Sequence, residues 1–148
     1  MREEIDACKW IYLREIGEPE DNALRLVIIE AKADGAPVDV EVMPGKLVRG
    51  LCAIESDANC RAFEFVWPSY VAYSVRNESF TTLDKEEVWE GRLLCLYSKS
   101  HFLDYVARAT FASVDYPGPL RHWGINCLNH IVDVVSTVEP QVRAIQHA

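Results

Sequence analysis

Polar and apolar positions alternate with a period of two over much of this chain, the pattern of β-strands. Val38-Asp-Val-Glu-Val42 alternates strictly, valines on one face and acids on the other, and predicts a half-exposed strand. The turn residues Asp34-Gly35-Ala36-Pro37 predict a hairpin joining it to Leu24–Ala33, a run rich in Leu, Val and Ile without helical period. Further strands are predicted over Leu51–Ile54, Arg61–Trp67, Ser69–Arg76 and Arg92–Tyr97. Cys8–Ile16 reads as a strand or a short helix, and Leu83–Glu90 as an acidic loop leading into a strand. Pro68 cannot donate to a ladder, so it marks a turn, bulge or edge.

Helical spacing stands out once. Phe102, Leu103, Val106, Ala107 and Phe111 fall on one face, with Ser98 or Ser100 before them as N-cap. Asp104 and Arg108 are placed to pair at i,i+4 on the opposite face. The helix is expected over about 100–111, stopped by Asp115-Tyr-Pro-Gly-Pro119. Arg121–Thr137 then reads as one long strand, broken by Glu139-Pro140, and Gln141–Ala148 as a tail or short helix. Strands without regular helix alternation predict an α+β fold. We expect a single domain over residues 1–148, a curved, mainly antiparallel sheet with the one main helix packed on one face.

With 148 residues, 49% hydrophobic and 10% aromatic, the chain is long enough to bury an ordinary core without metal or disulfide staples. No apolar run approaches membrane-spanning length, and the acidic start Met-Arg-Glu-Glu-Ile-Asp has no apolar signal core. Five cysteines, Cys8, Cys52, Cys60, Cys95 and Cys127, form no C-x-x-C pair, which fits reduced thiols in the cytoplasm. A net charge of −8 without a basic stripe argues against nucleic acid and anionic membranes, and would steer a basic protein partner toward the surface.

Site-capable side chains are densest in Arg121–Thr137, and His122, Cys127 and His130 suggest a metal or catalytic cluster. On one straight strand His122 and His130 share a face but lie about 26 Å apart, too far for one ion. Cys127 points the other way, beside Trp123, Ile125 and Ile131, and a thiol in an apolar core is inert. No metal site and no cofactor are expected. The face with His122, Asn126 and His130 stays a recognition candidate, and Glu78 and Tyr97 would join it if a pocket forms between sheet and helix. Asp133, alone among Ile and Val, needs a partner or exposure, and a structural hydrogen bond or salt bridge is the simpler expectation. P-loop, G-x-G-x-x-G and G-x-S-x-G patterns are lacking, and the four tryptophans read as core and rim packing.

Tyr73-Ser-Val-Arg-Asn-Glu-Ser79, Glu90-Gly91, Tyr97-Ser-Lys-Ser100, Leu103-Asp104-Tyr105, His122 and Asn129-His-Ile-Val-Asp-Val134 resemble a group of small bacterial proteins of about this length, without established function. The resemblance covers roughly the C-terminal half. It implies a bacterial cytosolic protein and carries no catalytic residue across. Two functions follow as expectations. One is a non-catalytic, acidic protein-binding module that masks a basic partner, as immunity proteins do. The other is a small-molecule binder or enzyme with its pocket between sheet and helix. A polar strand face bearing aromatics would equally suit a homo-oligomer edge.

Overall fold

Alternation along the strands is resolved by stacking two antiparallel sheets, so that one face of each is dry. The computed structural model describes residues 1–146. A short helix α1 (Arg2–Asp6) leads into β1 (Trp10–Gly17) and β2 (Leu24–Ala31). These join β5 (Ala62–Trp67) and β11 (Gln141–Ile145) in a sheet ordered β1-β2-β5-β11. A second sheet is ordered β6 (Ala72–Asn77), β10 (His130–Ser136), β9 (Arg121–Asn126), β8 (Leu94–Lys99) and β7 (Val88–Glu90). β3 (Val38–Met43) and β4 (Lys46–Leu51) pair only with each other, as a separate two-stranded ribbon. The main helix α2 spans His101–Ala109.

The chain is thus mostly antiparallel strand with one main helix, as expected of α+β. The single curved sheet is replaced by two sheets and a ribbon. Leu24, Leu26, Ile28, Phe63, Phe65 and Trp67 from the first sheet and Trp123, Ile125, Val132 and Val134 from the second form one buried cluster. Trp67 meets Trp123 edge-on at 6.1 Å across the two layers. Pro68 sits where the chain leaves β5 in one sheet for β6 in the other. On the outer face of the first sheet, buried Glu64 bridges Arg25 and Arg143, and Arg25 also holds Glu15.

Several local expectations change. The Asp34–Pro37 segment makes no hairpin, because β3 turns back onto β4 at Pro44–Gly45. Leu51 ends β4 instead of opening a strand, and the chain next bridges at Glu55 to Lys32. α2 stops at Ala109, and Phe111 lies beyond it, exposed and stacked on Tyr116. Among the described residues Asp104 and Arg108 form no ion pair. Gln141–Ile145 is a strand on the sheet edge; residues 147–148 of the expected tail lie outside the described residues. No helix among the described residues is long and apolar enough to cross a membrane.

The largest correction is at Arg121–Thr137, which is a hairpin of two strands. Residues 127–129 turn, with the Cys127 N–H donating to the His130 carbonyl at 3.0 Å. The turn is clamped from outside: Leu128 N–H donates to the Ile11 carbonyl, and Asn129 exchanges two hydrogen bonds with the Leu13 backbone. Doubling back places Asp133 opposite Gly124 and Val135 opposite His122.

Candidate functional site

Register decides which side chains meet. Tyr97 lies opposite His122, Cys95 opposite Gly124, Asp133 opposite both Gly124 and Ser74, and Ile131 opposite Asn126 and Arg76. Residues paired directly across an antiparallel ladder share a face. One face of the second sheet therefore carries Tyr97, His122, Asn126, Asp133, Ser74 and Arg76, while Trp123, Ile125, Val132 and Val134 fill the core. His130 falls on the face of Val132 and Val134, so His122 and His130 point to opposite sides, contrary to the one-strand reading. The same hairpin puts Ile131 on the side of Asn126, away from Trp123 and Ile125.

His122 is buried, and both ring nitrogens are engaged. Ser100 Oγ lies 2.7 Å from Nδ1, and Asp133 Oδ1 lies 2.9 Å from Nε2. Ser100 is the N-cap of α2, its Oγ accepting from the Leu103 N–H at 3.0 Å. The Ser100 hydroxyl thus bonds the helix end and one side of the imidazole at once, while Asp133 holds the other side. The other Asp133 oxygen takes the Arg76 guanidinium at 3.0 Å and the Ser74 hydroxyl at 3.4 Å. Tyr97 stacks on the imidazole at 4.3 Å and 13°, and Phe102 meets it edge-on at 5.4 Å. Gly124 makes room for Tyr97: a Cβ there would stand 2.7 Å from its ring.

Ser100, His122 and Asp133 have the composition of a hydrolase triad, but not its working geometry. A nucleophilic hydroxyl must reach a substrate carbonyl. Ser100 is 2% exposed, lines none of the depressions described below, and spends a lone pair on the helix cap. The chain of bonds instead ties α2 to β9, β10 and β6, and every buried polar group in it is satisfied. The partner that Asp133 requires is His122, with Arg76 behind it.

Accessible chemistry lies beside this strut. A cleft of about 470 Å3 opens between the sheet face, the segment 81–89 and the start of β1. Glu78, Tyr97 and Asn126 line it, with Trp10, Glu87 and Trp89 among their neighbours. Trp89 and Tyr97 lie 5.7 Å apart. A smaller depression of about 280 Å3, reaching Asp133 and the first turn of α2, shares Arg76, Thr82, Glu87 and Tyr97 with it. Three of the five candidate residues thus meet in one cleft. His122 lies beneath Tyr97 and His130 lines neither depression. The buried His130 Nδ1 has no hydrogen-bond partner among the described residues.

Burial pushes the Tyr97 phenol up to about 12, with the Cys95 and Asp133 charges adding to it. It pushes the Cys127 thiol up to about 12 as well, so that side chain is an inert core group. Cys95 is pushed up to about 11, also mainly by burial. At the rim, His101 is raised by its hydrogen bond to Asp84, 2.8 Å away. No group of three or more His, Cys, Asp or Glu among the described residues is placed to hold a metal ion.

Sequence reasoning missed Ser100 as a partner of His122, and Arg76, Glu87 and Trp89 as cleft residues. Ser100 was visible as a cap; its second bond depends on the register of β8 against β9. Comparison adds no relative: no family model, no curated protein and no solved structure matches this chain.

Proposed function

We propose that this chain is a non-catalytic protein-binding module that masks a basic partner in the bacterial cytoplasm, in the manner of an immunity protein. The observation that carries the reading is the β3–β4 ribbon. It pairs with neither sheet, yet the face that carries Val38, Val40 and Val42, with Leu51 across the ladder from Val38, is exposed, at 51%, 39%, 49% and 40%. A lone two-stranded hairpin is marginal in water, and a contiguous exposed apolar face marks an interaction surface. Net charge speaks for the kind of partner. Two copies at −8 repel, whereas a basic protein is drawn in. The buried, capped Ser100 supports the non-catalytic half of the reading.

The test is co-expression with the products of adjacent reading frames. A basic product is expected to co-purify with the native chain and to associate more slowly as salt rises. A triple variant, Val38→Ser, Val40→Ser and Val42→Ser, should lose about tenfold or more in affinity. Equal binding by that variant, or the lack of any basic product that binds, refutes the proposal.

A second reading, a small-molecule binder, is supported by the cleft that brings Glu78, Tyr97 and Asn126 together. Its volume falls in the range of about 300–1,000 Å3 common to ligand sites.

A further inference from the structure

We infer that the cleft between the second sheet and the segment 81–89 is a site for an organic cation, a guanidinium or alkylammonium group held between Glu78, Glu87 and the rings of Trp89 and Tyr97. The inference rests on the small-molecule reading above and names the ligand class for it.

The cleft is lined by cations and anions alike, so composition does not decide its preference; what each group is already bonded to does. Arg76 is paired with Asp133. The Arg92 guanidinium donates to the backbone carbonyls of Asp6, Cys8 and Lys9, closing the end of α1. Lys9 holds its ammonium 4.2 Å from the Trp10 ring centroid. Lys9, exposed and without an ion pair among the described residues, has only that indole; both guanidinium groups are satisfied within the fold.

The acceptors are not. Among the described residues Glu78 has neither an ion-pair partner nor a hydrogen-bond donor on its carboxylate, and Glu87 has only the His101 N–H on one oxygen, at 3.0 Å. The Asn126 amide gives its NH2 to the Arg92 carbonyl and Cys95 Sγ, and its oxygen accepts nothing from the described residues. The Tyr97 hydroxyl is likewise without a partner among the described residues, while its ring and that of Trp89 form an aromatic corner. Two uncompensated carboxylates, two open acceptor oxygens and a pair of π-faces call for a ligand that is positive and rich in donors. An anion would meet both carboxylates with only the Lys9 ammonium free of an ion pair to balance it. The Lys9 ammonium on Trp10 shows the same chemistry within the fold.

The cation has two sources, a free small molecule or a side chain presented by a peptide. L-arginine amide and the tripeptide Gly-Arg-Gly amide are therefore titrated separately to about 50 mM, following the tryptophan indole N–H signals by NMR. Trp89→Leu assigns the relevant signal. A saturable shift of Trp89 with arginine amide is expected. Glu78→Gln with Glu87→Gln should weaken it about tenfold or more; Gln at 87 keeps the acceptor used by His101. Tripeptide binding at least as tight as arginine amide identifies a peptide side chain; binding of arginine amide alone identifies a free cation. The inference is overturned if the double variant binds as well as the native chain, or if sodium acetate binds at Trp89 while arginine amide does not. The second of those results would leave a small-molecule site standing. If neither probe moves the Trp89 signal, the inference and the small-molecule reading fail together.

Discussion

Removing the His122 ring should cost more stability than any other single change on the α2 side of the second sheet. His122→Ala takes away the ring on which Tyr97 stacks at 4.3 Å and against which Phe102 packs at 5.4 Å. Deleting a buried aromatic ring costs about 3–5 kcal/mol, and the smaller imidazole lies at the lower end. The same change leaves the Ser100 hydroxyl and one Asp133 oxygen without their buried partners, at about 1–3 kcal/mol per group. Asp133 keeps Arg76 and Ser74, which limits its share. These contributions overlap, so the expected loss is about 3–5 kcal/mol, a large part of the roughly 5–15 kcal/mol typical of such a chain. His122→Phe refills the hole but not the hydrogen bonds, and should cost about 1–3 kcal/mol. Urea unfolding followed by tryptophan fluorescence measures both, since Trp67 and Trp123 lie in the core. A double-mutant cycle of His122→Phe with Asp133→Ala should return a coupling of about 0.5–3 kcal/mol. A His122→Ala loss under about 1 kcal/mol, or no measurable coupling, would show that these residues do not form a buried strut.

Two further outcomes follow from the same geometry. Glu64 is held below the usual carboxylate range by hydrogen bonds from Arg143 and then Arg25, and Glu30 by its hydrogen bonds from Arg61. A depressed carboxylate stabilises the fold above its unfolded value of about 4.3, and the gain is lost as pH falls through the lower folded value. Thermal melts should therefore drop steeply below about pH 4, and Glu64→Gln should lower the neutral-pH melting temperature while flattening that acid limb. Gly124→Ala should destabilise by about 1–3 kcal/mol, because the new methyl would push Tyr97 off its stack with His122; unchanged urea unfolding together with an unchanged Tyr97 NMR signal would contradict this.

Strands rich in aromatic and β-branched residues were legible in the sequence. Arg61–Trp67 and Arg92–Tyr97 match β5 and β8 to within two residues at either end. The helix cap was legible as Ser98 or Ser100, since a hydroxyl before an amphipathic run has a local reason to be there, and the structure selects Ser100. What failed were features whose cause lies far away in sequence. Val38–Val42 was read correctly as a strand, but its partner was not: a turn-forming segment on each side left two choices, and only packing selects β4.

The hairpin within Arg121–Thr137 teaches the same lesson about the site. Its turn, Cys127-Leu-Asn129, contains neither Gly nor Pro, and is held in place by the distant backbone of Ile11 and Leu13. Asn126 and Asn129, three residues apart, were the local hint, since Asn tolerates turn conformations readily. Missing that turn inverted the chemistry. Read straight, the segment gives two histidines sharing a face and an Asp133 with no partner in view. Folded back, the ladder brings Asp133 beside Gly124, where the missing side chain leaves room for Tyr97 to lie over His122. His122 then becomes part of the interior, and what can meet a ligand moves to the other edge of Tyr97, where Trp89, Glu78 and Glu87 wait. A composition-rich segment therefore marked the neighbourhood of the cleft without supplying most of its groups, because strand pairing and not chain proximity decides which side chains reach solvent.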